Sequence, residues 1–209
     1  MNQIKLKGLI RNIQPSHVIK DVEYEKADLV VKRKDNKEDV ISLRFKKFSN
    51  PYKDGQEISV LGNVRSYSWQ VDENKNKVDI YVFTYFDVPE LDGEDHEVTN
   101  HFEIDGRICK MEELRTTANG KQNIHFILAN NVPKDKDGYR LNSYLPCIAW
   151  GSLARSLQHC NINDKLLIKG ELHSREYTKK ISDTEVEIRV AHELVVTSFE
   201  PIEAEKDGI

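Results

Sequence analysis

The residues best suited to chemistry in this chain are planar side chains interleaved with cations. Arg65, Tyr67 and Trp69 recur at every second position, which on a β-strand puts all three on one face. A ring face stacks on another planar ring and a guanidinium pairs with phosphate oxygens, so such a row suits unpaired bases on a charged backbone. His173, Arg175 and Tyr177 repeat the spacing later in the chain. Tyr144 and Trp150 share a strand face opposite Leu145, Cys147 and Ala149. Arg44, Lys46 and Phe48 form a shorter row opposite Ile41, Leu43 and Phe45, with Lys32 and Arg33 in the strand before them. Tyr81, Phe83, Tyr85, Phe86, Phe126 and Phe199 are expected in the core, where most aromatics of a small β-domain go.

Catalysis finds no such support. The chain has no GxxxxGK[ST] phosphate loop, no GxSxG elbow and no HExxH zinc helix. Its seven histidines are scattered, and the adjacent pair His159 and Cys160 lacks partners at zinc spacing. Asp92, Asp95 and Glu97 do not follow the spacing of a calcium loop. The expected class is a binding protein, not an enzyme, with no cofactor and no metal.

These faces must be held by elements the sequence also marks. The chain has 209 residues, 38% hydrophobic and 32% charged, which suits one large or two small domains. No apolar run approaches the roughly 18 residues of a membrane helix, and the alternating N-terminus lacks the apolar stretch of a signal peptide. Three cysteines, Cys109, Cys147 and Cys160, with no CxxC pair fit a reducing compartment. A cytoplasmic location and no membrane contact are therefore expected. The net charge of −4 is unevenly spread. Residues 1–90 carry +2 and residues 100–199 carry +1, while 91–99 carry −4 and 200–209 carry −3. Near-neutral bodies leave room for a basic groove on one face.

Internal repetition organises the rest. NQIKLKGLI at 2–10 matches NHFEIDGRI at 100–108, with Gly8 and Gly106 at the same place. QEISVLGNVRSYSW at 56–69 matches DKLLIKGELHSREY at 164–177, aligning Gly62 with Gly170. FTYFDVPE at 83–90 and VTSFEPIE at 196–203 close the two copies. Alternating residues predict strands near 4–10, 22–33, 40–48, 57–69 and 77–86, then near 101–110, 121–130, 142–150, 165–177 and 185–199. After the third strand of the second copy, Leu153, Leu157 and Cys160 have helical spacing behind Ser152, a candidate N-cap. The first copy has FSNPYKDG there, which predicts a turn. The expected fold is all-β, two tandem five-stranded OB-fold barrels, the second with a short helix between strands three and four. The boundaries are 1–90 for the first domain, 91–99 for an acidic linker, 100–203 for the second domain and 204–209 for a short acidic tail.

Over about 100 residues the second copy resembles bacterial single-stranded DNA-binding proteins, and more loosely the relatives of primosomal replication protein B. The matching segments are IDGRI at 104–108, NGKQNIHFILANN at 119–131, CIAWGSLARSL at 147–157 and IKGELHSREY at 168–177. The resemblance implies single-stranded DNA as the partner, with Tyr144 and Trp150 at positions where the family carries stacking aromatics. It also implies that the segment VPKDKDGYR at 132–140 replaces a long hairpin that tracks DNA, making Lys134, Lys136 and Arg140 candidate contacts. A polar turn around Asp137 and Gly138 is the plain alternative. The candidate contacts are then Trp69, Tyr67, Arg65, Arg44, Lys46, Phe48, Lys32 and Arg33 in the first copy. In the second they are Trp150, Tyr144, Tyr177, Arg175, His173, Lys134, Lys136 and Arg140.

The family further implies a role in DNA replication, recombination or repair, with a phage or mobile element as the source suited to a two-domain chain. Replication or recombination proteins are possible partners, and a homodimer would bring four domains together. The ending EPIEAEKDGI lacks the apolar tip through which the family recruits enzymes, so recruitment by that route is not expected. Two other readings stay open: a primosome or recombination interaction module that binds nucleic acid weakly, and an RNA-binding OB protein.

Overall fold

Strands dominate the computed structural model, with one short helix. It describes residues 1–47, 52–72, 75–87, 99–131, 142–180 and 186–202, and of residues 69–72, 75–77 and 85–87 the backbone alone. Most of the 91–99 linker and the 204–209 tail lie outside the described residues.

The first five strands are β1 (Asn2–Ile19), β2 (Val22–Lys32), β3 (Glu38–Lys46), β4 (Glu57–Asp72) and β5 (Lys75–Asp87). β1 pairs antiparallel with β2, and β2 with β3. β3 then runs parallel to β5, which pairs with β4, and β4 returns to β1. The pairing thus comes full circle. The strands β6 (Asn100–Met111), β7 (Arg115–Thr116), β8 (Gln122–Asn131), β9 (Asn142–Trp150), β10 (Lys165–Lys180) and β11 (Val186–Pro201) follow. Apart from the two-residue β7, they pair in the same way: β6 with β8, β8 with β9, β9 parallel to β11, β11 beside β10, and β10 back to β6.

Two compact units result. The described residues of Ile4–His101 and Leu172–Glu193 form one, and those of Met1–Gln3, Phe102–Glu171 and Leu194–Ile209 form the other. The distal parts of β10 and β11 are an arm that belongs to the first of these. Each core is filled by alternate residues of its strands. Ile41, Leu43 and Phe45 of β3 face inward with Ile58, Val60 and Val64 of β4. In the other unit Phe102, Ile104, Phe126, Leu128, Leu145, Cys147, Ile168 and Leu194 do the same. Burial holds the Cys147 thiol far above its ordinary pKa.

Tight closure depends on four glycines. A Cβ at Gly62 would stand 2.5 Å from the Phe83 carbonyl oxygen, and one at Gly106 2.7 Å from that of Ala129. At Gly8 and Gly170 the Val30 and Val195 carbonyl oxygens are closer still. No side chain fits where strand backbones approach in this way.

The helix α1 (Gly151–Leu157) follows β9 directly and buries Ala154 and Leu157. Its N-cap is Trp150, in extended backbone and without a side-chain capping bond, so Ser152 does not cap it. The reversal is made by Gly151 at φ +60, a conformation glycine adopts without steric cost. The helix therefore starts one residue before the serine. In the first unit the corresponding stretch turns at Asp54 and Gly55.

Gly62→Ala and Gly170→Ala are expected to lower the unfolding free energy by at least about 1–3 kcal/mol, the cost of forcing atoms into filled space. Urea denaturation followed by circular dichroism measures this. The exposed Ser68→Ala should change it by less than about 0.5 kcal/mol.

Candidate nucleic-acid interface

The outer face of β9 carries the first cluster. Strand alternation sends Leu145, Cys147 and Ala149 inward, leaving Tyr144 49% and Trp150 41% exposed. Trp150 is held at a corner: its backbone ends the strand, Asn123 of β8 stands opposite it, and α1 begins at the next residue. A large ring so placed and 41% exposed offers a face to a planar ligand. Beside it, Arg155 donates from Nη1 to Gln122 Oε1 at 2.8 Å.

The second cluster lies on the outer face of β2, β3, β4 and β5. Across the ladder, Arg65 of β4 is opposite Tyr81 of β5, and Tyr67 opposite Asp79. Tyr67 is 54% exposed. The Arg65 guanidinium sits 4.3 Å above the Phe83 ring, and the Arg44 guanidinium 4.1 Å above Tyr81. Phe83 also meets Tyr24 at 6.1 Å, and Tyr24 stacks on His17 at 4.7 Å, the planes 5° apart. These contacts correct one expectation. Tyr81 and Phe83 are not in the core; Ile80, Val82 and Thr84 fill the inner positions of β5 and turn both rings outward. Their alternation with Ile80 and Val82 was the available signal, and ring size alone pointed the wrong way. Tyr24 and His17 were not singled out at all.

Lys32 and Lys46 are exposed on β2 and β3. Arg33 is engaged elsewhere. It donates from Nε to Asp39 Oδ2 at 2.6 Å, pairs with Asp39 Oδ1, and reaches the Ser174 carbonyl oxygen at 2.9 Å. Asp39 has no solvent exposure and also accepts from the Ser174 backbone N–H. The Ser174 hydroxyl bonds to the Val40 N–H at 2.8 Å. This cluster ties the 172–193 arm to the β2–β3 turn. On the arm, His173 and Tyr177 are half-buried, and Arg175 is exposed 3.9 Å from Glu193. Phe48, Lys134, Lys136 and Arg140 lie outside the described residues, as does the side chain of Trp69.

The structure thus gathers Arg44, Lys46, Arg65 and Tyr67 on one outer face and Tyr144 with Trp150 on another. Among the described residues no group of three or more His, Cys, Asp or Glu could hold a metal ion, and no helix is long and apolar enough to cross a membrane.

Residues 99–200 match the single-strand binding protein family. The resemblance carried by IDGRI, NGKQNIHFILANN, CIAWGSLARSL and IKGELHSREY therefore holds across the second half. The fold extends the likeness to the whole chain. The single-stranded DNA binding protein from Thermus aquaticus aligns over 100% of this chain and 96% of its own, with TM-score 0.72 at 18% identity. A deletion mutant of that protein aligns over 98% and 96%, with TM-score 0.70 at 19% identity. No curated protein matches.

Removing one member of the buried pair strands the other charge, which typically costs about 3–5 kcal/mol. Asp39→Ala should show a loss of this size in a denaturant titration, and Lys37→Ala, whose ammonium is exposed beside Asp35, almost none.

Proposed function

We propose that this protein binds single-stranded DNA without catalysing a reaction, using two tandem OB-fold barrels. The observation that carries the reading is the match of residues 99–200 to the single-strand binding protein family, because Tyr144 and Trp150 are large exposed rings among the described residues of that same segment. Each ring of pairings is one barrel, with Gly8, Gly62, Gly106 and Gly170 at equivalent strand crossings. In the second barrel the bases stack on Tyr144 and Trp150. In the first, Tyr67 and Trp69 offer rings, while Arg65, Arg44 and Lys46 offer cations. Each stack contributes roughly 1–3 kcal/mol, and near-neutral bodies limit the electrostatic part. Arg33 is left out of the contact set, since its guanidinium already serves Asp39.

The protein acts where DNA is unwound, in replication, recombination or repair, in the cytoplasm of a bacterial host, and a phage or mobile element is the source proposed. Two barrels per chain reach four in a homodimer, the assembly proposed here.

Duplex DNA hides its base faces, and stacking requires them open. A labelled oligo-dT of about 30 nucleotides, room for two folds at roughly 4–16 nucleotides each, should be displaced by unlabelled single strand. A duplex of equal length should fail to displace it at a hundredfold higher concentration. Equal competition by the two would overturn the stacking account.

A further inference from the structure

The part of β11 that belongs to the arm carries an apolar row in solvent. Val186, Ile188 and Val190 alternate along one strand face and are 64%, 69% and 41% exposed. Single exposed apolar residues are ordinary, but three in line on one face form a patch of the kind that marks an interaction surface. Between them Glu187 and Arg189 share the opposite face, where Arg189 Nε donates to Glu187 Oε2 at 2.6 Å.

The backbone of this stretch is open along one side. β11 lies between β10 and β9, yet its pairing with β9 covers only Leu194, Val195 and Val196. Among the described residues, no strand pairs with 186–193 on the side away from β10. Such an edge presents a row of N–H and C=O groups that an extended chain can pair with. The edge is also held in place. Ser174 of the arm is bound to Asp39 and Val40, and His192 Nε2 lies 2.8 Å from the Val40 carbonyl oxygen. A strand already fixed loses little further freedom when it pairs.

The order of the side chains selects the occupant. In VEIRV at 186–190, a second copy laid antiparallel about Ile188 sets Ile188 on Ile188, Val186 on Val190 and Glu187 on Arg189. Each apolar residue then meets an apolar one and each charge meets its opposite, twice over because the operation is two-fold. A parallel copy in the same register would instead set Glu187 on Glu187 and Arg189 on Arg189.

We propose that β11 pairs edge to edge with β11 of a second copy of this chain, antiparallel about Ile188, so that one sheet runs through both. The inference rests on the reading of the protein as a homodimer and gives that homodimer its interface. A short edge is a small contact, so the association is expected in the micromolar range.

Sedimentation velocity of the full chain at roughly 1–100 μM tests this, with circular dichroism confirming a native fold in every variant. Glu187→Arg sets guanidinium groups against each other across the two-fold, and Arg189→Glu does the same with carboxylates. Each single variant should self-associate at least about fivefold more weakly than the unaltered chain. An equimolar mixture of the two brings opposite charges together again and should recover most of the lost affinity. The chain carrying both substitutions should recover it as well. Unchanged self-association of both folded single variants overturns the edge and leaves a homodimer formed by another surface. Weakened variants whose mixture stays weak also overturn it, since the charges then do not face each other in this register. An unaltered protein that is monomeric throughout the range overturns the homodimer itself, and the edge with it.

Discussion

The closest constraint in this molecule is the approach of strand backbones at Gly8, Gly62, Gly106 and Gly170, where a carbonyl oxygen of the neighbouring strand occupies the space a Cβ would need. These contacts lie where β1 meets β2, β4 meets β5, β6 meets β8 and β10 meets β11, within the same circuits that pair β4 with β1 and β10 with β6. Once each set of pairings is closed, register is no longer adjustable, because a slip of one residue would turn every inward side chain outward. The inner positions of β3, β4 and β5 are then committed to Leu43, Val64 and Val82, and the outer positions to Arg44, Arg65 and Phe83. The outer face is a consequence of the same four contacts that pack the core.

That dependence explains what could be read in advance. Strand positions, the glycine pairs and the inward residues follow from period-two alternation, and the motifs from 104 to 177 from a family resemblance. The outward turn of Tyr81 and Phe83 was less legible. In YVFTYF every position is apolar, aromatic or small, so the alternation with Ile80 and Val82 was a weak signal against ring size, and the partner strand, with Arg65 opposite Tyr81, shows which ring meets solvent. Arg33 was misleading in a different way. Sequence shows a cation among lysines, and only folding brings Asp39 and Ser174 to it. The pairing of Ser174 with residues some 135 positions earlier leaves no local mark in the chain. Ser152 followed a local rule for helix starts that Gly151, with its positive φ, pre-empted.

The proposed function rests on planar side chains that the fold places in solvent. Trp150 is fixed between the end of β9 and the start of α1, and Arg44 is fixed on Tyr81. For Arg44, already stacked on a ring, the protein has lost side-chain freedom that a stacking ligand would otherwise have to remove, which favours affinity without demanding a strongly basic surface. On that proposal a chain of net charge −4 binds a polyanion with a larger share of the free energy from stacking and a smaller share from counterion release.

The most direct measurement is the fluorescence of Trp150 in a Trp69→Phe chain, which leaves a single tryptophan, during titration with oligo-dT at low and then moderate salt. The account predicts saturable quenching that survives the rise in salt to a large degree, since stacking is not screened. Binding detected by anisotropy with no change in Trp150 emission would contradict it, because the strand would then lie elsewhere than on the exposed ring of β9.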